Sequence, residues 1–242
     1  MQKHIKVELP RYNTVEKNFF NRLRKELGSD ILLYCLVGSL GRQDVVCGWS
    51  DIDILIVIKK YTCDILEKIN KTIAGNNKDI KIGITLYTYK DFINNKDPKT
   101  IHYIESILNN IYHPRIIDNK LKLTYPNLST IKVFDWVDFT QLTHTLKREL
   151  LLLERYDEKK TYKIIIALLK ILLRSKGITE FSGYTDVIMK TNKELGQFDL
   201  KTPSEIMSSP DMKNERFHSY IAFLQWLGER DIKLVDKNTL IG

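Results

Sequence analysis

Asp51 and Asp53 stand two residues apart in "SDIDILIV", a run that is otherwise aliphatic from Ile52 onward. A carboxylate in a buried strand has to be paired, neutralised or bound to a metal. Side chains at i and i+2 of a strand share a face, so the two aspartates project together while Ile52 and Ile54 point into the opposite layer. Two neighbouring carboxylates repel unless a divalent cation sits between them. Oxygen ligands beside a phosphate suit Mg²⁺, which is usually held by one or two carboxylates plus the substrate's own phosphates. Gly38 and Ser39 open the turn after the preceding apolar run, Ile31 to Val37. Backbone N–H groups there and the Ser39 hydroxyl can hold a phosphate, especially where a helix starts. Taken singly, Asp51 reads equally well as a capping aspartate and Gly38-Ser39 as a loop. Asp53 inside the apolar run has no such bland reading, and together the residues describe a phosphate cradle beside a metal clamp.

The elements that must position these residues follow from periodicity. Val15, Phe19, Leu23 and Leu27 recur every four residues over Thr14 to Leu27, which predicts a helix stopped by Gly28. Strands are predicted over Ile31 to Val37, Ile52 to Ile58 and Ile80 to Tyr89, with a helix over Asp64 to Ile73. A helix from Pro98 to Asn109 and an extended piece around Arg115 to Leu123 complete a mixed first half. After the turn-rich "LTYPNLST" the pattern is helical only. Leu142, Leu146, Leu150 and Leu153 repeat every three or four residues, Tyr162 to Arg174 is apolar on nearly every side, and shorter helices follow over Tyr184 to Leu195 and Asn214 to Arg230. The boundary falls near residue 128, giving domains 1–128 and 129–242. Along Tyr162 to Arg174 the charged residues are Lys163, Lys170 and Arg174, whose offsets of seven and eleven form a basic stripe on one helix face.

Gly38-Ser39, Gly41-Arg42 and Ser50-Asp51-Ile52-Asp53 resemble the "GS … G … SDxD" signature of the nucleotidyltransferase superfamily that includes DNA polymerase β, antibiotic nucleotidyltransferases, poly(A) polymerases and CCA-adding enzymes. The resemblance implies an α+β chain: a mixed sheet with helices, followed by an all-helical bundle domain. It also implies Mg²⁺ or Mn²⁺ on Asp51 and Asp53, and transfer of a nucleoside monophosphate from a nucleoside triphosphate to an acceptor hydroxyl with release of pyrophosphate. Gly38, Ser39, Arg42 and Ser50 are thereby expected at the nucleotide. "LLKILLRSKGI" is similar to the helix from which poly(A) polymerases send basic residues to the triphosphate, which implies that role for Lys170 and Arg174. "FSGY" is similar to a nucleotide-pocket segment of archaeal CCA-adding enzymes, implying Ser182 near phosphate and Tyr184 near the base. Most active relatives carry a third carboxylate on a later strand, where "KIGITLYT" has Gly83 or Thr85 instead. Asp79, Asp138 and Glu149 are the candidate replacements. Asp138 and Glu149 are favoured as the replacement base or ligand because related antibiotic-modifying enzymes take a catalytic glutamate from beyond the third strand, and Glu149 is preferred because it adjoins Lys147 and Arg148.

Composition narrows the class. The chain has 242 residues, 43% of them hydrophobic, enough for one large or two modest cores. No apolar run is long enough for a membrane span, and the first residues lack the pattern of a signal peptide, so a soluble cytoplasmic protein is expected. Cys35, Cys47 and Cys63 lack the spacing of a zinc or redox site and read as reduced. The formal charge of +8 favours an anionic partner, nucleotide or RNA, over a polycationic aminoglycoside. The acceptor stays open between an RNA end, a nucleotide, a protein and a small molecule. The alternative to an active enzyme is a nucleotide-binding regulatory or antitoxin-like protein, for which the missing third carboxylate is the argument.

Overall fold

Ile31–Val37 (β1) and Ile52–Ile58 (β2) are nearly continuous aliphatic runs because both of their faces are covered. They pair antiparallel, with Val37 opposite Asp53 and Cys35 opposite Leu55. Ile82–Thr88 (β3) lies parallel to β2 and Pro114–Ile117 (β4) antiparallel to β1, giving the order β3-β2-β1-β4. The computed structural model describes residues 2–75, 79–94, 98–151 and 156–229. They form two compact units, Met1–Pro126 and Asn127–Gly242. The first is an α+β unit and the second is all helical, in line with the expected fold class. Among the described residues no helix is long and apolar enough to cross a membrane, and Cys35, Cys47 and Cys63 are free thiols.

Gln2–Leu27 (α1) and Cys63–Ala74 (α3) cover one face of the sheet. α1 starts well before the expected Thr14, because Leu9 and Tyr12 continue its apolar face, and it runs through Pro10. α3 is the crossover that a parallel β2–β3 pair requires. Thr62 caps it, accepting from the Ile65 N–H at 3.2 Å, and Ile65 and Ile69 pack with Val15, Phe19 and Leu23 against Ile52, Ile54, Ile56 and Ile58. Each such buried side chain contributes roughly 1.5–3 kcal/mol. The other face carries Leu55 and Val57 of β2 with Leu33, Cys35 and Val37 of β1, under Phe92 of Tyr89–Ile93 (α4) and Ile104 and Ile107 of Pro98–Leu108 (α5). Asp53 has the parity of Leu55 and Val57, so it belongs to this second face. Between β1 and the loop to β2 lies a one-turn helix, Gly38–Gly41 (α2), which periodicity could not reveal.

One charge is fully buried in the first unit. Glu16 of α1 is 0% exposed, accepts from the Tyr34 hydroxyl at 2.9 Å and pairs with Arg115 of β4, whose guanidinium also lies 5.3 Å above the Phe20 ring. The cluster ties α1 to β1 and β4.

In the second unit Leu128–Leu151 (α6) is started by Asn127, whose side chain accepts from the Ser129 N–H at 2.9 Å. Leu142, Leu146 and Leu150 lie on α6, while Leu153 is outside the described residues. Glu158–Ser175 (α7), capped by Asp157, is the central helix, with Ile165, Leu168, Leu169 and Leu173 fully buried or nearly so. Tyr184–Glu194 (α8), Pro203–Ser208 (α9) and Lys213–Gly228 (α10) complete the unit; the expected end of the last helix at Arg230 falls outside the described residues. α9 was not expected, although Thr202 and Glu205 form a capping box with Pro203 at the first turn. The α7 start is bound to α10 by Arg216, which holds Glu158 at 2.5 Å.

Burial pushes the Glu16 carboxyl above its ordinary value of 4.5, although hydrogen bonding from Tyr34 and the Arg115 charge pull against it. The unfolded chain therefore releases this proton first. As pH rises from about 4.5 through the folded value, Glu16 progressively lowers stability, and below that window it contributes nothing. Urea unfolding of wild type and Glu16→Gln across this range should show the wild type losing stability relative to the variant as pH increases; parallel profiles would contradict the buried-carboxyl account.

Candidate functional site

β1 ends in extended backbone at Val37, and Gly38 then turns the chain with φ +64°, a conformation that favours glycine. Space requires glycine as well: a Cβ on Gly38 would stand 2.5 Å from Asp53 Oδ2. On the other side, β3 places Gly83 beside Asp53 in register, and a Cβ there would stand 2.9 Å from Oδ1. The Asp53 carboxylate is thus seated between two glycines contributed by both neighbouring strands. Asp51 and Asp53 are partly exposed, whereas Ile52 and Ile54 are 0% exposed, so both carboxylates keep contact with solvent at the end of an otherwise buried strand. Their Cα atoms are about 7 Å apart by strand geometry.

Around this pair the structure arranges the other residues of the motif. Ser39 is 5% exposed, and its hydroxyl makes no hydrogen bond among the described residues. Ser50 is 7% exposed and braces the intervening loop: its hydroxyl accepts from the Val46 N–H at 2.9 Å, and its carbonyl accepts from the Tyr12 hydroxyl at 3.0 Å. Arg42 donates to Asp44 at 3.3 Å and to the Tyr112 hydroxyl at 3.1 Å, and the Gly38 N–H donates to the same hydroxyl at 3.3 Å. Sequence reading missed Tyr112. It lies 74 positions from Gly38, in a turn after α5 that carries no motif.

β3 bears no acid on the site face. Gly83 is occupied by its contact with Asp53, and the Thr85 hydroxyl is 3.4 Å from that of Tyr103. Asp79, just before the strand, is exposed and pairs with Arg11 at 3.1 Å. Among the described residues there is no group of three or more His, Cys, Asp or Glu side chains suited to a metal. The donor set of Asp51 and Asp53, with glycines leaving room around the latter's oxygens, fits an ion that draws its remaining ligands from a phosphate substrate.

In the second unit, Lys163, Ala167, Lys170 and Arg174 are the part-exposed positions of α7 from Thr161 to Arg174, spaced four, three and four, and the basic stripe is a real helix face. Arg174 is committed to Asp135 of α6, donating from Nε to Oδ2 at 2.9 Å and from Nη2 to Oδ1. The Lys170 ammonium lies 5.7 Å from the Phe181 ring centroid, and Lys190 approaches the same ring at 5.8 Å. Lys190 also donates to the Glu180 carbonyl at 2.8 Å and to Asp186 at 2.9 Å, and Asp186 accepts from the Ser182 N–H at 2.9 Å. Burial pushes the Asp186 carboxyl up, but the hydrogen bonds from Lys190 and Ser182 and the Lys190 charge outweigh it and leave the group below its ordinary range. Lys170 and Ser182 are therefore joined through Phe181. Tyr184, at the start of α8, packs on Tyr162 with centroids 5.8 Å apart, two turns before Lys170. Glu149 of α6 pairs with Lys160 at 2.5 Å, and Asp138 is half-buried on the same helix.

No family model matches the sequence, and no curated protein sequence matches it. Among solved structures, the chain is similar to that of the spectinomycin adenyltransferase AAD(9) from Enterococcus faecialis, determined with ATP and spectinomycin. The two share 13% identity over 94% of each chain, with a TM-score of 0.51. At that identity the likeness is one of architecture: a mixed sheet with helices, followed by a helical unit, in the arrangement of a nucleotidyltransferase-type fold.

Proposed function

We propose that the protein is a metal-dependent nucleotidyltransferase, moving a nucleoside monophosphate from a nucleoside triphosphate to an acceptor hydroxyl. The observation that carries this reading is the seating of the Asp53 carboxylate against the Gly38 turn, at the ends of two paired strands, where a metal ion and a phosphate would meet. The fold likeness to an adenyltransferase solved with ATP supports ATP as the donor. In the reaction, the acceptor oxygen forms a bond to the α-phosphorus, the bond from that phosphorus to the bridging oxygen breaks, and pyrophosphate leaves. Asp51 and Asp53 would hold Mg²⁺ or Mn²⁺, which when bound neutralises charge on the triphosphate and on the departing pyrophosphate. Ser39 donates to phosphate from its unpartnered hydroxyl, while Ser50 and Arg42 keep the turn and its loop in shape. From the second unit, Lys170 is assigned to the triphosphate, Ser182 to phosphate and Tyr184 to the base. Arg174 supplies positive charge from its anchorage on Asp135.

The acceptor's proton needs a base. Glu149 is the acid assigned to it, and its ion pair with Lys160 must open for it to act. The absence of an acid at Gly83 and Thr85 favours one second reading, a regulatory protein that binds nucleotide and turns it over slowly or not at all. Among acceptors, the charge of +8 favours RNA or a nucleotide, while the spectinomycin bound by the similar structure supports the small-molecule hydroxyl.

Three measurements test this reading. Mg²⁺-ATP at about a hundred times its dissociation constant should stabilise the fold by roughly 2.7 kcal/mol in thermal denaturation. Asp51→Ala/Asp53→Ala should abolish the gain, and an equal shift in the double variant would remove the proposed metal site. Lys170→Ala should weaken triphosphate far more than nucleoside, by about 1.5–3 kcal/mol, whereas Arg174→Ala should instead destabilise the fold, because it breaks the pair with the buried Asp135. Pyrophosphate release with RNA, nucleotide and antibiotic acceptors should fall sharply in Glu149→Gln and persist in Asp79→Asn and Asp138→Asn. Release unaffected in all three would discard a recruited carboxylate, and nucleotide binding with no release for any acceptor would establish the regulatory reading.

A further inference from the structure

The Tyr112 hydroxyl accepts from the Gly38 N–H and from the Arg42 guanidinium, at 3.3 and 3.1 Å. Its ring lies against Gly41, where a Cβ would stand 2.9 Å from Tyr112 Cδ1. Two accepted hydrogen bonds, one of them from a cation, occupy the acceptor side of the phenol oxygen and polarise its O–H, making it a stronger donor. That proton has no acceptor among the described residues. Ser39, the next residue after Gly38, is 5% exposed with a hydroxyl that makes no hydrogen bond among the described residues either. Among the described residues, the Ser39 hydroxyl and the Tyr112 hydroxyl beside its turn are thus both without acceptors, backed by Arg42. A group that satisfies both is an acceptor-only anion with several oxygens.

We infer that Tyr112 is a triphosphate ligand, its hydroxyl donating to a non-bridging phosphate oxygen alongside Ser39. The assignment rests on the reading of the Gly38–Ser39 turn as the triphosphate site and changes it in one respect. The Gly38 N–H is spent on the phenol oxygen, so this glycine serves the phosphate through Tyr112 and not by its own amide. Gly38 then has two functions in one residue: it leaves room for Asp53 where a side chain would stand, and it orients Tyr112 through its backbone.

The test is calorimetric titration of wild type and Tyr112→Phe with Mg²⁺-tripolyphosphate, Mg²⁺-ATP and adenosine, with the melting midpoint of each protein measured alongside. Phenylalanine keeps the ring on Gly41 and removes only the hydroxyl. The expected result is about a tenfold loss of affinity for tripolyphosphate and ATP, with adenosine affinity and the melting midpoint retained. Unchanged tripolyphosphate affinity in Tyr112→Phe, with tight wild-type binding, overturns the Tyr112 assignment and leaves the triphosphate site standing. Equal losses for ATP and adenosine overturn it as well, by showing that the hydroxyl only maintains the fold. A wild type that binds neither polyphosphate removes the triphosphate site and Tyr112's role together.

Discussion

Room for one carboxylate organises the first unit. Asp53 stands on a strand whose remaining residues are fully buried, and its two oxygens face the places where Gly38 and Gly83 would otherwise carry side chains. Both contacts depend on register. A slip of β2 by a single residue would turn Asp53 into the layer beneath α1 and α3 and present Ile52 and Ile54 at the site. The slip is opposed by every aliphatic residue of β2, since Ile52, Ile54, Ile56 and Ile58 fill one core while Leu55 and Val57 fill the other. The site's geometry is thus held by hydrophobic burial on both faces of the sheet rather than by the polar residues that line it.

The same unit holds charges in two kinds of surroundings. Glu16 is wholly enclosed, and Tyr34 and Arg115 answer it within the fold. Removing one partner from such a group leaves a costly remainder, so the cluster resists change. Asp51 and Asp53 keep contact with solvent at a strand end, beside the Gly38 turn and the Tyr112 hydroxyl that its backbone N–H meets. The second unit repeats the contrast on one helix: Arg174 is fastened to Asp135, while Lys170 rests against an aromatic ring and keeps its ammonium on the part-exposed face.

Where physics acts through neighbours in the chain, the sequence was legible. β1 and β2 are found at their full extents, because continuous aliphatic runs bounded by Gly38 and Ser50 admit little else. The basic stripe on α7 follows from helical spacing alone. α2 and α4 are too short to show a period, and α9 escaped although its capping box, Thr202 to Glu205, is written in the sequence. Long-range partners left no trace. Nothing local distinguishes Glu16 from the solvated charges of α1, Tyr112 from other tyrosines, or Arg174 from a phosphate ligand, since each is decided by residues 18 to 99 positions away.

The missing third acid is itself a consequence of how Asp53 is seated. An aspartate at Gly83 would need its Cβ 2.9 Å from Asp53 Oδ1, closer than such contacts occur, so the Asp53 carboxylate would have to shift. The next position on that face, Thr85, is engaged with Tyr103. The glycine at 83 and the position of Asp53 are one arrangement, and an acid at 83 would meet the Asp53 carboxylate first. A base for this site, where there is one, has to come from outside the sheet. On the proposed reading, nucleotide binding would rest on a strand pair fixed by two cores, and turnover on Glu149, whose present partner is Lys160 on the next helix.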